Sequence, residues 1–75
     1  MSKLDAHIAR QAHALITNPA TIQAFDELEA DYIRRWRNTA PEAVQQREHW
    51  YASLKAAETV RARLTSYASE AAEHA

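Results

Sequence analysis

The chain has 75 residues and no glycine. Tight hairpin turns and left-handed helix caps usually draw on glycine, which takes positive φ without steric cost. Its absence argues against a strand-rich fold and leaves helices joined by short links. Pro19 and Pro41 are the two prolines, and they divide the chain into three helical segments.

The first segment is expected over about residues 3–16. Ser2 is placed to cap it, with Asp5 three positions later in the manner of a capping box. Leu4, Ile8, Ala12 and Leu15 repeat at helical spacing, with Ile16 adjoining. Asn18-Pro19 then closes this helix and opens the next. The residue before a proline avoids helical angles, Asn is a favoured N-cap, and Pro suits the first helical position.

The second segment is expected over residues 19–38. At 100° per residue, Ile22, Phe25, Leu28, Tyr32, Ile33 and Trp36 share one broad face. Its acidic residues come first and its basic residues last, which complements the helix dipole. Thr39-Ala40-Pro41-Glu42 has the form of a second capping box, with Thr39 as N-cap and Glu42 reaching back. The third segment then runs to about residue 72. Its apolar face moves: Val44, Tyr51 and Leu54 give one direction, and Val60, Leu64, Tyr67 and Ala71 another. That rotation exceeds the drift of about 20° per heptad that supercoiling absorbs, so the two halves are expected to touch different neighbours.

Short links make successive segments antiparallel neighbours. In that register Trp36 lies near Val44 and Phe25 near Leu54. The first segment then covers the far end of the third, with Leu15 near Leu64 and Ile8 near Ala71. The expected fold is therefore all-α: a single domain of three helices forming an elongated antiparallel hairpin, its first arm broken at Pro19. A compact bundle with the first segment folded back is the alternative, and it leaves the end of the third segment bare. Glu29 points into the apolar face of the second segment and needs a partner. In this register Arg47 supplies it, or an indole or phenol donor from Trp50 or Tyr51 does, unless the carboxylate sits at the rim in water.

A chain this short buries a small share of its surface. Apolar residues make up 47%, or 35, but 17 of them are alanine, leaving 18 larger ones. So thin a core raises the expectation of self-association or of folding against a partner. There is no cysteine, hence no disulfide, thiolate ligand or thiol nucleophile. The net charge of −1 gives no global attraction to nucleic acid or anionic membrane. No apolar run reaches the roughly 20 residues that span a bilayer, and the N-terminus lacks the apolar centre of a signal peptide.

The four histidines, His7, His13, His49 and His74, show no metal-ligand spacing. No nucleophile–base pair or pair of acids is set up for catalysis, so neither an enzyme activity, a small-molecule substrate nor a cofactor is expected. Arg34-Arg35-Trp36-Arg37 is the best candidate for nucleic-acid contact, since basic residues beside an aromatic can pair with phosphate and stack on a base. Trp36 belongs to the apolar stripe, however, and Asp31 is placed to pair with Arg35. Aromatics with arginine are typical anchors of protein interfaces. Arg47, Trp50 and Arg61, with Leu64 and Tyr67 on the later stripe, are the candidates for such a surface.

Residues 15–51 carry a pattern: Leu15-Ile16-x-Asn18-Pro19, Ala24-Phe25-Asp26-x-Leu28-Glu29, Tyr32-Ile33, Trp36-Arg37-Asn38-Thr39-x-Pro41, Arg47-Glu48 and Trp50-Tyr51. It resembles short helical open reading frames of tailed phages and prophages, often found near packaging and head genes. The resemblance covers about half the chain and brings no catalytic residues with it. It implies a phage-associated protein of the host cytoplasm or the virion. A helical assembly or adaptor protein, contacting itself or a larger protein, is the leading expectation. A DNA-packaging accessory similar in kind to a small terminase subunit, using Arg34, Arg35 and Arg37, is the alternative. A third reading is an inhibitor of a host protein, with Asp26, Glu27 and Asp31 mimicking phosphate.

Overall fold

A computed structural model describes residues 5–73. They form three helices: α1 (Ala6–Thr17), α2 (Pro19–Asn38) and α3 (Val44–Glu73). Among the described residues there is no strand and none takes a positive φ. This is how the chain does without glycine: its first two helices stop by turning extended rather than left-handed. Asn18 has φ −74° and ψ 124°, and Thr39 has φ −80° and ψ 132°.

Asn18 serves two helices at once. Its backbone N–H donates to the Leu15 carbonyl at 3.2 Å, closing α1. Its Oδ1 accepts from Ala20 N–H at 2.8 Å, opening α2 with Pro19 in the first turn. A single residue thus satisfies end groups on both sides of the break.

Two capping assignments from sequence are corrected. Ser2 lies outside the described residues, and α1 is capped by Asp5, whose Oδ1 accepts from His7 N–H at 2.7 Å. Thr39 does not open α3; it closes α2, its hydroxyl donating to the Arg35 carbonyl at 2.7 Å. The cause is Pro41. A capping box headed by Thr39 would need Ala40 in helical angles, and a residue before proline avoids them. The helix restarts only at Val44, after a turn in which Ala43 N–H donates to the Ala40 carbonyl.

Both α1 and α2 pack on α3, and touch each other far less. The result is an elongated antiparallel hairpin with its first arm broken at Pro19. Its radius of gyration is 15.9 Å, against about 11 Å for a compact chain of this length. Its extents are 51 × 30 × 12 Å. Two stacked helix layers, with axes 8–10 Å apart, would need about 13–15 Å of backbone thickness. The protein is flat and elongated, its thinnest extent just below that of two stacked layers.

The interior is correspondingly small. Among the described residues the buried apolar ones are Ala9, Ala12, Ala57 and Ala68. Ala9 and Ala12 on α1 with Ala68 on α3 bring small side chains to the α1–α3 contact, where they let two backbones approach closely. Ile16 is half-buried beside them, whereas Ile8 and Leu15, expected on this face, are exposed. The face is therefore rotated relative to the stripe read from the larger residues. Ile16 and His13 border a groove with Thr65, Ala68, Ser69 and Ala71, so α1 does cover the far half of α3.

A candidate protein interface at the closed end of the hairpin

The link between α2 and α3 determines how their side chains meet. Because α3 begins at Val44, the register differs from the one expected. Arg47, on its first turn, reaches back: Nη1 donates to the Thr39 carbonyl at 3.1 Å, and the guanidinium lies over the Trp36 ring, 5.1 Å from its centroid. It ties down the link and so does not pair with Glu29. The partner of Glu29 is Arg61, at 2.9 Å, and the same nitrogen, Nη1, also meets Asp26 at 2.8 Å. Arg61 further lies 5.7 Å from the centroid of Phe25, which therefore faces α3 two turns beyond Leu54. The hydrogen bond to Glu29, then that to Asp26, raises the pKa of Arg61 above its already high ordinary value, so it stays a cation at any working pH.

Trp50 and Tyr51 are about 100° apart on α3, so they cannot face the same way. Trp50 is half-buried. It sits 6.0 Å from Tyr32 and 4.8 Å from His49, centroid to centroid, with the Arg35 guanidinium 5.0 Å from its own ring centre. Tyr51 is the one that faces out, 49% exposed.

Tyr51 belongs to an apolar groove on one side of the closed end. Trp36, Pro41, Val44, Arg47, Glu48 and Tyr51 line its first part, about 380 Å³. A second recess of about 290 Å³ adjoins it, sharing Trp36 and Tyr51 and lined also by Ile33, Arg37, Leu54 and Lys55. Val44 is 56% exposed and Trp36 37%, a large apolar side chain and an indole held open to solvent. The cations around them differ in their commitments. Among the described residues Arg37 makes no ion pair. Lys55 pairs with Glu58 at 3.2 Å and lies 5.5 Å from the Tyr51 ring centre. The Glu58 hydrogen bond raises its pKa above the ordinary value.

The five residues proposed from sequence as contact residues are thus not one patch. Arg47 lines the groove, and Trp50 is engaged with Tyr32, Arg35 and His49. Arg61, eleven positions further and so about 16 Å along the helix from Trp50, bridges α2 to α3. Leu64 and Tyr67 are half-buried on the far half of α3. Sequence reasoning put Trp36 in the core stripe and did not select Tyr51 or Val44. The signal for those two was the i,i+7 spacing on the earlier stripe.

The arginine cluster is divided as well. Asp31 holds both Arg34 and Arg35, the latter at 2.9 Å. Among the described residues no three histidine or carboxylate side chains gather into a group that could hold a metal ion, and no helix is long and apolar enough to cross a membrane. Comparison with protein-family models, curated proteins and solved structures returns no match.

Proposed function

We propose that this chain is a phage-associated helical assembly or adaptor protein that acts by protein–protein contact, with itself or with a larger protein. The observation that carries the reading is the mismatch between apolar content and burial. Sixteen apolar residues larger than alanine lie among the described residues, yet the buried apolar residues there are four alanines. The chain exposes 5658 Å², where a compact protein of its mass exposes about 4,700 Å². The excess, about 1,000 Å², is similar to the roughly 800 Å² that one partner contributes to a standard interface. Domains normally close a core between packed elements, and a flat, elongated chain with so little fully buried gains by packing its exposed apolar residues on another chain. The phage association, and a place in the host cytoplasm or virion, rest on the resemblance carried by residues 15–51.

Absolute mass by light scattering behind size exclusion, at several concentrations, tests the proposal. A defined oligomer supports assembly. A strict monomer that is also thermally robust and heat-stable at every concentration counts against it, because such a protein has no deficit for a partner to fill.

The nucleic-acid alternative is less well supported. Of Arg34, Arg35 and Arg37, two are held by Asp31, whose single charge offsets one of them, and Arg35 also covers Trp50. The phosphate-mimicking alternative loses two of its three carboxylates in the same way, Asp26 to Arg61 and Asp31 to its two arginines.

A further inference from the structure

We infer that the groove at the closed end of the hairpin binds an apolar, helical segment of a different protein, one whose apolar anchors are flanked by acidic residues. This rests on the proposed role in protein contact and names the chemistry of the partner. The floor and walls of the groove, Ile33, Trp36, Pro41, Val44, Tyr51 and Leu54, are aromatic or aliphatic apart from the Tyr51 hydroxyl. They are contributed by α2, the link and the start of α3. Such a trough between two helices accepts the apolar face of a third, with anchors at i, i+3 or i+4, and i+7. Trp, Tyr and Arg are also the residue types that dominate binding energy at protein interfaces.

The rim gives the sign of the partner. Arg37, Arg47 and Lys55 line the groove against one lining carboxylate, Glu48, and Lys55 is balanced by Glu58 beside it. Among the described residues Arg37 has no ion pair, and Arg47 is bound to a carbonyl and a ring rather than to an acid, so the rim keeps a net positive charge. A second copy seated here across a two-fold axis would bring this same cationic rim against itself, and like charges in contact disfavour a partner. An acidic-flanked segment relieves the imbalance. A nucleic acid would also supply negative charge, but the Arg47 guanidinium lies over the Trp36 ring where a base would have to stack.

The test uses the full chain carrying Trp50→Phe, which keeps a ring against Tyr32 and leaves Trp36 as the single tryptophan reporter. Two synthetic amphipathic peptides share leucine anchors at the spacing above. One carries glutamates at the flanking positions and the other lysines. Oligothymidylate is the third probe. The glutamate peptide is expected to shift Trp36 emission saturably, and to bind at least about tenfold more tightly than the lysine peptide. Arg37→Glu, at an exposed position in the last turn of α2, opposes the helix dipole and is expected to lower the thermal midpoint by only a few degrees, leaving the chain folded at the assay temperature. It should weaken the glutamate peptide by about fivefold and strengthen the lysine peptide. Equal binding of both peptides, no saturation by either, or oligothymidylate binding as tightly as the glutamate peptide would each overturn the assignment. The mass measurement is independent of these outcomes: a defined oligomer with no peptide binding removes the groove and keeps the contact role. A robust monomer with no peptide binding removes both.

Discussion

Arg61 is the side chain on which the α2–α3 packing turns. It meets Asp26 and Glu29 through one nitrogen and lies against Phe25, so it fastens the middle of α2 to α3. It is about one-third exposed, which keeps the value of these pairs modest. Arg61→Ala is expected to lower the thermal midpoint by a few degrees. Arg34→Ala, which removes an exposed pair within one helix, is expected to stay within about 0.5 kcal/mol. A double-mutant cycle separates the observed register from the one expected from sequence. Glu29→Ala and Arg61→Ala should be coupled, whereas Glu29→Ala and Arg47→Ala should be additive. Coupling in the second pair and none in the first would restore the register with Glu29 opposite Arg47. Because the pKa of Arg61 is raised, its contribution is fully present below its ordinary pKa and is lost only as pH climbs through the raised value. Titration of Arg61 itself therefore adds no slope to stability anywhere near neutral pH.

At the scale of helices, the breaks and the order of packing were legible and the register was not. Asn18-Pro19 carries its meaning locally: an extended residue with a short polar side chain, then a fixed φ, and both appear in the structure as the sequence implies. Thr39-Ala40-Pro41-Glu42 carries two conflicting local signals, a capping pattern and a pre-proline restriction, and the steric one prevails. Starting α3 at Val44 instead of just after Thr39 then displaces each contact between α2 and α3, which is why Glu29 met a different arginine. The groove at the closed end was hidden for the same reason, since its shape depends on where the link ends. The α1–α3 contact was obscured differently. Large apolar residues suggest the buried face of a helix, but here alanines make it, and Ile8 and Leu15 stand outside. Ala12→Leu or Ala68→Leu is therefore expected to destabilise by about 1–3 kcal/mol through overpacking. Ala14→Leu, at an exposed position on the same helix as Ala12, is expected to be near neutral. Thermal melts followed by circular dichroism compare the three, and equal midpoints would mean that α1 does not rest on α3 through its alanines.

At the scale of the whole molecule, the flat, elongated shape links sequence to function. Seventeen alanines favour helix over the length of the chain, yet each hides little surface, so helicity is secured without a core to match it. Larger residues are then spread over two sides of α3, Val44 and Tyr51 on one stripe, Val60, Leu64 and Tyr67 on another. No single neighbour within the chain can cover both stripes. A partner that covers either one binds the folded form and not the unfolded one, and so stabilises it by mass action. If that partner is a second copy, folding and association are linked, and stability depends on protein concentration. With an unfolding enthalpy of about 0.7 kcal/mol per residue, a dimer of this length should gain roughly 3–5 °C in midpoint for each tenfold rise in concentration. Melts spanning two decades of concentration read this directly. A rising midpoint assigns the exposed stripe of α3 to self-assembly. A flat midpoint, with one that rises on adding the glutamate-flanked peptide, assigns the missing contact to a foreign chain at the closed end.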